Sequence, residues 1–168
     1  MSEPLPLNDF RFLNEEEILE FNLNSIPENS EKGYILEIDL RYPVELHDLH
    51  NAYPLAPESL PITADMHSPF ASELLKKLGR KPCGKTEKLV PNLNDKFHYV
   101  VHYRNLQFYV KMGPIVTKIH QIMSFHQAPW IQPYIKINSD KRRDAKSPFE
   151  KDFYKLMNTV CTGKRWKI

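Results

Sequence analysis

The chain has 168 residues, 26% of them charged and 41% apolar, with a net charge of +2 and two cysteines. That length supports one modest hydrophobic core, and that balance is ordinary for a globular chain. It excludes a global basic field that would demand nucleic acid, and two cysteines this far apart in sequence read as free thiols in a reducing, intracellular compartment.

No apolar run approaches the roughly 18 residues that span a bilayer, so no membrane partner is expected. Met1 to Leu7 is short and carries an acid, unlike a secretory signal. Fourteen prolines against five glycines imply extended, stiffly turned connections rather than long helices.

In chain order, the proline-broken start, MSEPLPLNDFRFL, reads as extended. NEEEILEFNL fits a short helix capped by Asn14. In GYILEIDLRYP, residues 33–43, Tyr34, Leu36, Ile38 and Leu40 alternate with Glu37, Asp39 and Arg41, the period-two signature of a half-buried strand. VELHDLHNAYPLAPESLPI reads as a turn-rich loop. SPFASELLKKLG predicts a helix, with Ser68 as its cap, Pro69 in the first helical position and Gly79 as its stop.

KFHYVVHY (96–103) predicts a second strand and RNLQFYVKMG (104–113) a helix stopped by Gly113. IVTKIHQIMSF (115–125) fits either state; its β-branched content and flanking prolines favour a strand. NSDKRRDAK (138–146) reads as a charged helical turn or two. SPFEKDFYKLMNTV (147–160) opens with a capping box at Ser147 and Glu150 and carries an apolar stripe of Phe149, Phe153, Leu156, Met157 and Val160. Strands and helices out of strict alternation make the expected class α+β.

Several constellations could carry chemistry. GRKPCGKT (79–86) matches the letters of a phosphate-binding loop, with Gly79, Gly84, Lys85 and Thr86 in place. Such a loop needs a strand before it and a helix opening at its Lys-Thr end. Here a helix precedes it, Pro82 removes a donor, and Pro91 breaks any helix that could start at Thr86, so Gly79 reads as a helix stop.

His47 and His50 flank Asp48, with Asp65 and His67 further on, but a zinc site needs about four convergent ligands and the spacing fits no metal pattern. Glu37 and Asp39 project to one face of their strand, and Asp39 reads either as a metal-binding carboxylate or as part of a solvent-facing acidic edge. His98, His102 and His120 read as satisfied sheet residues. No serine or cysteine sits in a nucleophile elbow.

The segment with the most local charge is C-terminal: Lys141, Arg142, Arg143, Lys146, Lys151 and Lys155 fall within 15 residues. Lys151 and Lys155, four apart on one helix, leave the same side. That face suits a polyphosphate or a nucleic-acid backbone, and it equally suits a solvated surface.

The blocks GYILEIDLRYPVELHDLHNAYPLAPE, LVPNLNDKFHYVVHYRNLQFYVKMG, TKIHQIMSFHQAPWIQPYI and FEKDFYKLMN together resemble the family B DNA polymerases of the protein-primed, organellar and viral type. They are most similar to the copies carried by self-synthesising DNA transposons, over about Met1 to Lys164. The resemblance implies a partial palm (1–32), an insertion-like segment (33–95), a mixed strand and helix segment (96–137) and fingers helices (138–168).

The family's first catalytic block, with a metal-binding aspartate, would precede this sequence, and the block with paired aspartates would come after it. Asp39 falls in a later segment than the first block and does not inherit the metal role. By position in the fingers, Arg143, Lys151, Lys155 and Gly163 would bind the nucleotide. Thr159, Val160 and Thr162 depart from the Asn, Ser and aromatic expected between Lys155 and Gly163.

The partners implied are DNA, a deoxynucleoside triphosphate and a terminal priming protein. The full-length family uses Mg²⁺, which this chain alone is not expected to bind. The expected function is therefore a DNA-directed DNA polymerase segment with no catalytic residue of its own. The alternative is a non-catalytic module that grips DNA or the priming protein.

Overall fold

The computed structural model describes residues 3–80 and 87–160. The described residues are α+β, in the order β1 (Leu5–Phe12), α1 (Glu15–Glu20), β2 (Lys32–Arg41), α2 (His47–His50), β3 (Glu58–Pro61), α3 (Pro69–Lys77), β4 (Glu87–Val90), β5 (Lys96–His102), α4 (Tyr103–Lys111), β6 (Ile115–Ala128), α5 (Gln132–Asp144) and α6 (Pro148–Val160). Four strands form one sheet in the order β1-β6-β2-β5, and β3 and β4 form a separate antiparallel pair. Among the described residues, no helix is long and apolar enough to cross a membrane.

The sequence predicts most of these elements. Asn14 caps α1 through a reciprocal capping box with Glu17. Ser68 caps α3 by accepting from the Ala71 N–H. Gly79 then ends the helix at φ +62, its N–H and that of Arg80 closing onto Lys76 and Leu75 carbonyls. Its role as a helix stop is met, while residues 81–86 of the loop-like motif, Lys85 and Thr86 among them, lie outside the described residues, as do Cys161 and Gly163.

The ambiguous segment is a strand, β6, fourteen residues long. Two expectations need extension. The stretch read as turn-rich loop contains α2 and β3, and α5 begins at Gln132 rather than near residue 138, with Pro133 tolerated in its first turn.

The chain divides into two compact units, each assembled from separate stretches. One unit comprises residues 13–26 and 35–122. Its core is the inward face of β2, Leu36, Ile38 and Leu40, with Val101, Tyr103, Leu106 and Ile122, all buried. The alternation of β2 is thus read out directly, because each buried residue is two positions from the next. Lys96 is fully buried here too, its ammonium bound to Glu58 Oε2 at 3.0 Å and to Asn92. That contact fastens β3 to the start of β5.

The other unit comprises residues 1–12, 27–34 and 123–168. In it β1 pairs antiparallel with the end of β6, Phe10 lies against buried Phe125 at 5.8 Å between ring centroids, and α5 packs on α6.

Candidate functional site

β2 has β6 on one side and β5 on the other, so a residue on its outward face meets side chains from both neighbours. Glu37 and Asp39 occupy that face, opposite the buried Leu36, Ile38 and Leu40. The β2–β5 register runs Glu37 to Val100 and Ile38 to Tyr99, then slips before Leu40 pairs with Lys96. His98 lies in the slip and takes φ +52, a conformation uncommon for a non-glycine residue. The His98 backbone N–H donates to Asp39 Oδ1 at 2.9 Å.

The side chains then converge. His98 Nδ1 lies 2.7 Å from Glu37 Oε1. From β6, His120 Nε2 lies 2.8 Å from Asp39 Oδ1, and Thr117 donates its hydroxyl to the Asp39 carbonyl at 3.2 Å. The two imidazoles stack with centroids 4.0 Å apart. The His98 backbone N–H, and after it the His120 ring, hold the Asp39 carboxyl below the ordinary carboxylate range, against a smaller opposing effect of burial. His120 and Asp39 are largely covered, with 16% and 18% of their side chains exposed, whereas the His98 ring is 65% exposed. The cluster is therefore fixed on its sheet side and open on the other.

One ligand atom each from Asp39, His98 and His120 lies within 4.8 Å of the others. The sequence leaves Asp39 open as a metal-binding carboxylate or part of an acidic edge and reads the two histidines as sheet residues, with nothing to connect them. The signal available was the shared face of Glu37 and Asp39; what the sequence could not supply was the strand order that delivers a histidine from each side.

The other histidine constellation resolves differently. His50 is buried, with Nδ1 2.6 Å from the Tyr42 hydroxyl, and His47 Nε2 lies 3.4 Å from the Tyr42 carbonyl. Both therefore turn to Tyr42 from helix α2, rather than standing in the polar loop the sequence suggests. His102 caps α4, its Nδ1 accepting from the Arg104 N–H at 3.4 Å.

The C-terminal cations sit on an antiparallel helix pair. Tyr134 donates to the Met157 carbonyl, Asn158 to the Ser139 hydroxyl, and the Lys141 ammonium lies 5.8 Å from the Tyr154 ring centroid. The expected capping box of α6 is present, Ser147 accepting from the Glu150 N–H and Glu150 from the Ser147 N–H, each at 3.2 Å. Lys151 and Lys155 are exposed on α6, and Lys155 borders a hollow of about 420 Å³ with Phe149, Asp152, Phe153, Leu156 and Thr159. Arg143 is bound on its own helix, to Asp140 at 2.9 Å and near Asp144 at 3.7 Å. The structure thus joins Lys151 and Lys155 on one helix, while Arg143 is satisfied locally on the other. The apolar stripe of α6 is largely exposed, Phe149 at 79% and Val160 at 60%.

Compared with known protein families, curated proteins and solved structures, the chain matches none.

Proposed function

We propose that this chain is a segment of a protein-primed family B DNA polymerase of the transposon type, and that its present capacity is to hold phosphate rather than to transfer it. The fold assignment that goes with this reading is a partial palm with an inserted subdomain and fingers helices. Two things support it. The four resembling sequence blocks run in the family's order, and the segment that would be the fingers is a helix pair bearing Lys151 and Lys155 exposed on its second member. The pair of lysines is the observation that carries the proposal.

The chemistry rests on what the chain contains. Nucleotidyl transfer works by placing charge, with two metal ions held by aspartates clamping the attacking and leaving oxygens. Ammonium groups on a helix attract and orient phosphates by themselves. They supply no such clamp by themselves. The expected activity is binding of DNA or of a nucleoside triphosphate, with Lys151 and Lys155 as direct contacts and Arg143 available only if it leaves Asp140.

Primer extension with Mg²⁺ or Mn²⁺, run beside a binding assay on a labelled oligonucleotide, tests both halves. Binding without incorporation is the expected outcome. Incorporation by the purified chain overturns the catalytic half, and absence of any salt-sensitive binding overturns the proposal.

A further inference from the structure

Asp39, His98 and His120 offer more than a hydrogen-bonded cluster. We propose that they bind one borderline divalent transition-metal ion, Zn²⁺ foremost, with Glu37 orienting His98. The proposal is independent of the polymerase reading, whose metals belong to other residues.

The donor set selects the metal. Two imidazoles and one carboxylate suit Zn²⁺, Co²⁺, Ni²⁺ or Cu²⁺, whereas Mg²⁺ and Ca²⁺ prefer shells of oxygen. Around a tetrahedral zinc ion, ligand atoms about 2.0–2.2 Å from the metal lie roughly 3.3 Å from one another. The three ligand atoms here already fall within 4.8 Å of one another, and the Asp39–His120 pair is at 2.8 Å. Small side-chain rotations complete the approach, and the ion takes the place of the proton now shared between His120 Nε2 and Asp39 Oδ1.

The surroundings match what a metal site requires beyond its ligands. Metal-bound histidines are commonly held by a carboxylate on the second ring nitrogen, which fixes the tautomer and the ring plane. Glu37 Oε1 stands 2.7 Å from His98 Nδ1 and orients that ring. Asp39 is anchored at its backbone by Thr117 and at Oδ1 by the His98 N–H. The three ligands come from β2, β5 and β6, so the sheet itself sets their spacing. The exposed edge of His98 leaves an open side, where water or a substrate oxygen completes the coordination.

The test uses the full chain with Cys83→Ser and Cys161→Ser, so that thiolates do not compete for the ion. Co²⁺ titration followed by visible absorption, and Zn²⁺ titration by calorimetry, read stoichiometry and affinity. His98→Asn is the decisive variant, because asparagine tolerates φ > 0 and the ring it replaces is mostly exposed, so folding is retained.

We expect one equivalent of Zn²⁺ bound, at least about 100-fold weaker in His98→Asn, about 10-fold weaker in Glu37→Gln, and unaffected by millimolar Mg²⁺. Failure of the chain to bind a stoichiometric equivalent overturns the proposal. So does equal affinity in wild type and His98→Asn, which would place the ion at another group such as His47 and His50.

Discussion

Replacing Lys96 by methionine removes one charge from a buried pair while keeping most of the side-chain volume. The Lys96 side chain is fully covered, and its ammonium is held by Glu58 Oε2 at 3.0 Å, the Asn92 carbonyl at 3.4 Å and the Asn92 side-chain oxygen. Removing one member of a buried ion pair costs about 3–5 kcal/mol, because the remaining charge stays desolvated and unpaired. Glu58 keeps 23% of its side chain exposed and still accepts from Asn92 Nδ2 at 2.9 Å. Water and that amide recover part of the loss, so the cost for Lys96→Met is about 2–3 kcal/mol.

Glu58→Gln keeps an amide oxygen for the buried ammonium but removes the charge that balances it, and costs a comparable amount. The double variant should cost less than the sum of the two singles by about 1–2 kcal/mol, since the second change removes a group the first had already stranded. Urea unfolding followed by far-UV circular dichroism measures all four proteins. A Lys96→Met chain within about 0.5 kcal/mol of wild type, or a strictly additive double variant, refutes the view that this pair fastens β3 to β5.

Gly33→Ala should be destabilising, because a Cβ there falls 2.2 Å from a ring carbon of buried Phe125 and 2.6 Å from Gln127 Oε1. The overpacking costs about 1–3 kcal/mol, lowering Tm by roughly 2–4 °C per kcal/mol for a chain of this size; thermal unfolding checks it, and an unchanged Tm would mean that the ring moves freely.

His102 should make stability depend on acidity. Burial, and after it the nearby Arg104, lower its pKa from the ordinary 6.5, so the folded chain binds this proton less readily than the unfolded one. Its stabilising contribution is therefore present above about pH 6.5 and lost as the pH falls from there through the depressed folded value. Protonation of Nδ1 also ends its acceptance from the Arg104 N–H. Urea midpoints between pH 7.5 and 5 should fall more in wild type than in His102→Asn, which keeps an acceptor at the cap; equal falls contradict the assignment.

Much of the fold is legible where the signals are local. The alternation of Leu36, Ile38 and Leu40, the caps at Asn14, Ser68 and Ser147, and the stops at Gly79 and Gly113 each depend on residues a few positions apart. What escapes is non-local. β3 and β4 are four residues each, one ending in Pro61 and the other running up to Pro91, and only their mutual pairing makes them strands. The start of α5 is obscured by the β-branched Ile131, Ile135 and Ile137 around Pro133, whereas contact with α6 favours the helix.

The Asp39 cluster depends on partners 59 and 81 positions away and on a register slip that turns the His98 N–H toward the carboxylate. No periodicity announces such a slip. The cations of α5 and α6 are the reverse case: their presence is plain in the sequence, and the local capture of Arg143 by Asp140 is visible only once α5 is built.

The central claim is that Lys151 and Lys155 contact phosphate. The most direct measurement is the salt dependence of single-stranded oligonucleotide binding by wild type and by Lys151→Ala/Lys155→Ala. Each phosphate contact contributes about 0.7 to the slope of log affinity against log salt, so the double variant should bind more weakly at every salt concentration, with a slope shallower by about 1.4. Parallel lines of equal affinity would contradict the account.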